Sequence, residues 1–135
     1  MTRRAVTLLE ILVVLVILGG MLAVTLGMVS TGRDDAQAAK TVLQTSLHRA
    51  HLLARVHGGA TISGGETITI HTDRAIETPL PRGWALHLGE HGDAQLSFNL
   101  DGFAPDMPIR LEAASDSITM TYLGISGQLV EEVSP

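Results

Sequence analysis

The sequence predicts an α+β chain: one long N-terminal helix, with a transmembrane half and an amphipathic half, packed on a C-terminal antiparallel β-sheet domain. Three observations predict it. Residues 6–29 form an aliphatic run with one charged side chain, Glu10. Between Ala36 and Ala54 apolar residues recur at spacings of three and four. Beyond Gly59 the apolar spacing drops to two. Helical side chains return to one face about every 3.6 residues and strand side chains every second residue, so each spacing names its backbone.

Composition bounds what such a chain can be. With 135 residues it has the size of one small domain. Hydrophobic residues make up 45% and aromatics 3%, so the core must be built from Leu, Ile, Val and Ala. The mean hydropathy of +0.28, high for a wholly soluble domain, is concentrated at the N-terminus. The absence of cysteine excludes disulfide scaffolds, zinc–thiolate sites and thiol catalysis. A net charge of -5 argues against a chain that coats nucleic acid.

A helix over residues 6–29 would be ~36 Å long, enough to cross a hydrocarbon layer of ~30 Å. Arg3 and Arg4 precede the run and only Arg33 follows closely. The positive-inside bias then leaves the N-terminus in the cytoplasm and the bulk of the chain outside. Three readings of the run compete. A secretory signal has a shorter apolar region, ~7–15 residues. A plain single-span anchor leaves Glu10 unexplained, since a carboxylate costs ~2.5–3.5 kcal/mol at mid-membrane, less near the interface. In the third, cleavage before Val6 frees an α-amino group four residues ahead of Glu10. That amine, on this chain or a neighbour, pairs with the carboxylate.

Past Val29 the stripe of Ala36, Ala39, Leu43, Leu47, Ala50 and Ala54 predicts an amphipathic helix to about His57. Arg33, Asp34, Asp35, Lys40, Arg49 and Arg55 fall largely off the stripe. Gly58-Gly59 is the expected stop. Gly19-Gly20 and Gly27 are weak points in the apolar half. A continuous rod from Val6 to His57 would be ~78 Å long.

The strands follow in order. Ile68 and Ile70 alternate with threonines, then Trp84, Leu86 and Leu88, then Leu96, Phe98 and Leu100. Ile109 and Leu111 come next, then Ile118, Met120 and Tyr122, then Leu129 with Val130. TPLPRG, GEHGD, LDGFAPDMP, ASDS and GISG separate them as turns. Six or seven short strands are expected, mostly antiparallel because the connections are short.

Here the residues resemble a known family. RRA followed by VTLLEILVVLVILG resembles the N-terminal signal of type IV pilins and type II secretion pseudopilins. The resemblance implies a pilin-like fold and removal of residues 1–5 by prepilin peptidase, with cleavage between Ala5 and Val6. It implies N-methylation of Val6, and an assembly role for Glu10 as the fifth mature residue. Ala5 stands where the family usually has Gly, and Val6 where it usually has Phe or Met. LSFNLDGFAPDMPIRLE and SITMTYLGISGQLVEE are similar to the C-terminal region of H-type minor pseudopilins and FimT-like minor pilins. The expected division is a leader over 1–5, a transmembrane half-helix over 6–29, an amphipathic half over 30–58 and a β-sheet domain over 59–135.

The resemblance implies a structural minor pseudopilin of a type II secretion system, anchored in the inner membrane with its C-terminal domain on the periplasmic side. Its expected partners are prepilin peptidase, other pseudopilin subunits, the inner membrane and the secreted protein substrate. The alternatives are a minor type IV pilin and, from another class, a single-span anchored binding module that never polymerises. Loss of residues 1–5 takes Arg3 and Arg4 from nine basic residues and nothing from fourteen acidic ones, leaving a charge of -7. Setting Glu10 aside leaves -6, and the tail GQLVEEVSP has no basic residue, so nucleic acid is not an expected partner.

No enzyme activity and no cofactor are expected. Ser63, Ser97, Ser115, Ser117 and Ser126 lie in no Gly-x-Ser-x-Gly elbow. His48 with His51, and His87 with His91, are candidate metal pairs, but no H-E-x-x-H motif exists, and surface histidines are the expected reading. Asp93, Asp101 and Asp106 are weak Ca²⁺ candidates, with Asp101-Gly102 most simply a turn. Trp84 is expected in the core, and Phe103 is a candidate contact residue.

Overall fold

The computed structural model describes residues 8–132, and within the helix the side chains of 8–24 and 34–57. Helical backbone runs Leu8–His57 (α1). The chain divides into two compact units, Met1–Ala36 and Gln37–Pro135, and α1 contributes to both. In the first, every side chain from Leu8 to Val24 is exposed. In the second, Ala39, Leu43, Leu47, Ala50 and Ala54 are buried, as their spacing requires, and Ser46 is buried with them. The helix stops where Gly58 turns to a φ of 83° and its N–H donates to Ala54 O at 2.9 Å. This left-handed cap satisfies one of the last helical carbonyls.

Eight strands follow: β1 (Ala60–Ser63), β2 (Thr67–His71), β3 (Ala75–Pro79), β4 (Ala85–Leu88), β5 (Gln95–Phe98), β6 (Met107–Ala113), β7 (Asp116–Leu123) and β8 (Gln128–Glu131). They form two four-stranded sheets, in the orders β3-β2-β1-β5 and β4-β6-β7-β8, with antiparallel neighbours throughout. Alternation puts Ile62, Ile68, Ile70, Leu96 and Phe98 of the first sheet in the core. The second contributes Leu86, Leu88, Ile109, Leu111, Met120 and Tyr122. Phe98 and Tyr122 meet edge-on across the two, ring centroids 5.9 Å apart. Gly65 and Leu86 also exchange backbone hydrogen bonds of 2.9 and 2.8 Å. Gly64 makes room for that approach, because a Cβ there would lie 2.3 Å from Leu86 O.

The expected fold is corrected on two counts. In place of a rod with a transmembrane half, α1 contributes to two units, its described side chains covering 17 residues (8–24) and 24 residues (34–57). Among the described residues no helix is long and apolar enough to cross a membrane. The physical difference between the stretches is burial: 8–24 has no buried face, whereas 34–57 has one. In place of six or seven strands the chain has eight, in two sheets, with β1 and β3 joining β2 and β5 in the first.

The aliphatic core sets a modest mutational effect. Ile62 is fully buried on β1. Ile62→Val removes one methylene and should cost about 1 kcal/mol, read by chemical denaturation with an unchanged slope.

Candidate functional site

Glu10 lies in the first turn of α1 and is exposed. Its neighbours one and four residues on, Ile11 and Val14, are aliphatic and exposed at 53% and 51%. No basic residue stands between Arg4 and Arg33 in the sequence. Ala5 and Val6, the residues expected at the cleavage and methylation site, lie outside the described residues.

The histidine pairs separate. His48 and His51 both line a concavity of about 550 Å³ between α1 and the β7–β8 hairpin, together with Leu47, Tyr122, Ser126 and Leu129. His51 Nδ1 lies 2.7 Å from Gly102 O. A carbonyl only accepts, so Nδ1 carries the proton in this contact. Burial pushes the Tyr122 phenol above its ordinary value of 10.0, so it stays neutral here. His87 instead lies 3.6 Å from Glu112 Oε2, which Arg110 Nε also approaches at 3.3 Å. Among the described residues no group of three or more His, Asp or Glu is placed to hold a metal ion.

The aspartates serve turns. Asn99 Oδ1 accepts from the N–H groups of Asp101 and Phe103, both at 3.0 Å, and Gly102 completes the turn with a φ of 83°. Asp106 Oδ1 accepts from Gly124 N–H at 2.6 Å, tying two loops together. Ser63 Oγ lies 3.1 Å from His71 Nε2 on the β1–β2 surface. That contact lacks the further groups a nucleophile needs: a residue to orient the base and donors for an oxyanion. Trp84 is buried, as expected, and Phe103 is half exposed beside exposed Leu100. The sequence reading missed the concavity beside β8, which is made by residues more than seventy positions apart; only the pairing of His48 with His51 on one helix face pointed toward it.

No family model, characterised protein or solved structure matches the chain.

Proposed function

We propose that the chain is a structural minor pseudopilin of a type II protein secretion system, cleaved before Val6 by prepilin peptidase and assembled with other pseudopilins into a filament. The observation that carries this reading is the exposed aliphatic stretch from Leu8 to Val24, interrupted by one carboxylate. Each such side chain gains about 1.5–3 kcal/mol when fully buried, so the stretch favours an apolar surrounding. Inner-membrane lipid supplies it before assembly, and the equivalent stretches of other subunits supply it afterwards. In that setting Glu10 needs a cation, and the amine freed at Val6 provides one. Such a pair is strong when made and costly when left open, so it fixes axial register more than it adds net stability.

The Gln37–Pro135 unit would face the periplasm and meet neighbouring subunits and the exported protein. Its acidic balance supports protein partners over nucleic acid. The chain's own residues supply no reaction in this role.

Processing tests the reading. Ala5→Leu places a bulky side chain where the peptidase meets a small one. Cleavage should slow about tenfold or more, a barrier change of about 1.4 kcal/mol. The uncleaved chain should accumulate in membranes on a gel that resolves the two forms. Unchanged processing of the Leu variant would contradict the assignment of the cut.

A further inference from the structure

The second sheet ends on a short edge strand, β8, beside the concavity between α1 and the β7–β8 hairpin. The N–H of Glu132 donates to Thr119 O at 2.9 Å, which fixes the parity of the β7–β8 ladder. Val130/Thr121 and Gln128/Leu123 are then the hydrogen-bonded pairs. Leu129 and Glu131 consequently turn their N–H and C=O groups away from β7, along the outer edge. Their side chains stand opposite Tyr122 and Met120, on the buried face. Glu131 reaches Lys40 of α1 at 2.6 Å, and Leu129 on the same face lines the concavity with His48 and His51. Of the other edge strands, β3 ends in Pro79, which cannot donate, and has no buried side chain.

We propose that β8 accepts an extended segment of another protein as a further antiparallel or parallel strand. That segment carries an apolar residue opposite Leu129 and two consecutive basic residues opposite Glu131 and Glu132. Main-chain hydrogen bonds to Leu129 and Glu131 give affinity, and the side chains give specificity. The apolar residue enters the concavity beside Leu47. The basic pair meets the two carboxylates, one on each face of the strand, sharing Glu131 with Lys40 and Glu132 with the Thr121 hydroxyl. Charge selects this occupant over a second copy of the chain, because pairing two β8 strands brings together Glu131 and the adjacent Glu132 of each copy and adds no basic residue at that edge. The site uses only residues of the Gln37–Pro135 unit, so it stands apart from the cleavage and assembly of the N-terminal stretch.

The test uses the full chain in detergent and short capped threonine-rich peptides containing Ile-Thr-Lys-Arg or the reverse order, Arg-Lys-Thr-Ile, with acidic counterparts carrying Glu-Glu in place of the basic pair. One of the two basic peptides should bind by calorimetry and slow amide exchange at Leu129 and Glu131. Its acidic counterpart should bind at least about tenfold more weakly, equivalent to about 1.4 kcal/mol. Leu129→Pro removes an outward donor without touching a β7 hydrogen bond, and should abolish binding. Glu132→Lys keeps the backbone intact and should weaken the basic peptide several-fold, an effect that fades with added salt. The proposal is overturned if neither basic peptide binds, or if acidic and basic peptides bind alike. Unchanged binding by folded Glu132→Lys protein overturns it, as does protection of the β8 edge by self-association in the absence of peptide.

Discussion

Glu10→Val should yield a chain that still enters the membrane and is still cleaved, but is incorporated into the proposed filament about a hundredfold less. Burial of the exposed stretch sets the size of the effect. In the proposed filament Leu8 to Val24 would be surrounded by like stretches, and the carboxylate and the freed amine would sit in a low-dielectric medium. Removing one partner of such a pair leaves the other charged and unpaired, at a cost of about 3–5 kcal/mol. Every 1.4 kcal/mol is about a factor of ten, so the subunit's association falls by two orders of magnitude or more. Valine also raises the apolar character of the stretch, so membrane partition should not fall. Membrane fractionation reads insertion, gel mobility reads cleavage, and crosslinking to neighbouring subunits reads incorporation. Incorporation of the Glu10→Val chain at the wild-type level would remove the register role of Glu10.

The second large effect is on folding, at a glycine. A Cβ at Gly124 would lie 1.6 Å from Ala104 O, 2.8 Å from Ala104 C and 3.1 Å from Pro105 C. All three are backbone atoms, so no side chain can swing aside. The loop at 104–106 must move, and the 2.6 Å hydrogen bond from Gly124 N–H to Asp106 Oδ1 is lost with it. Overpacking costs about 1–3 kcal/mol, and a hydrogen bond to a charged group contributes about 1.5–3 kcal/mol. Gly124→Ala should therefore cost about 3–6 kcal/mol, a drop in Tm of more than about ten degrees. Gly83→Ala is the control. It also lies in a turn, at a φ of 85°, but nothing lies within 4 Å of its Cβ. Only the left-handed strain remains, about 1–2 kcal/mol. Thermal unfolding of the two variants side by side separates crowding from backbone strain.

What could be read from the sequence was what has a period. The buried helical stripe, its stop at Gly58 and six of the eight strands follow from apolar spacing, because one buried face imprints itself on the order of residues. β3 left no such trace: Ala75–Pro79 has no buried side chain, and its TP pair reads as a turn. β1 holds only Ala60 and Ile62 as buried apolar residues, too few to show by spacing, and only the similarity of RAHLLARVHGGATI to the helix end and first strand of the H-type group pointed to it. Leu100 shows the opposite error. It continues the alternation of Leu96 and Phe98, yet β5 ends at Phe98 and Leu100 is exposed in the Asn99 turn. Division into two sheets was not legible, because strand order depends on pairing across the chain. Of the functional candidates, Glu10 stood out because it interrupts an apolar run, whereas the β8 edge and its concavity exist only after folding. The triangle of Asp106, Gly124 and Ala104 is likewise a product of loop packing.

The central claim is that the exposed apolar stretch is prepared for assembly by removal of residues 1–5. Intact mass and N-terminal mapping of the protein isolated from its own membranes test it most directly. The account predicts a chain beginning at Val6, lighter by Met1 to Ala5 and heavier by one methyl group on the new amine. A chain that still begins at Met1 would contradict it, and would leave a tethered domain whose N-terminal stretch has no part in a filament.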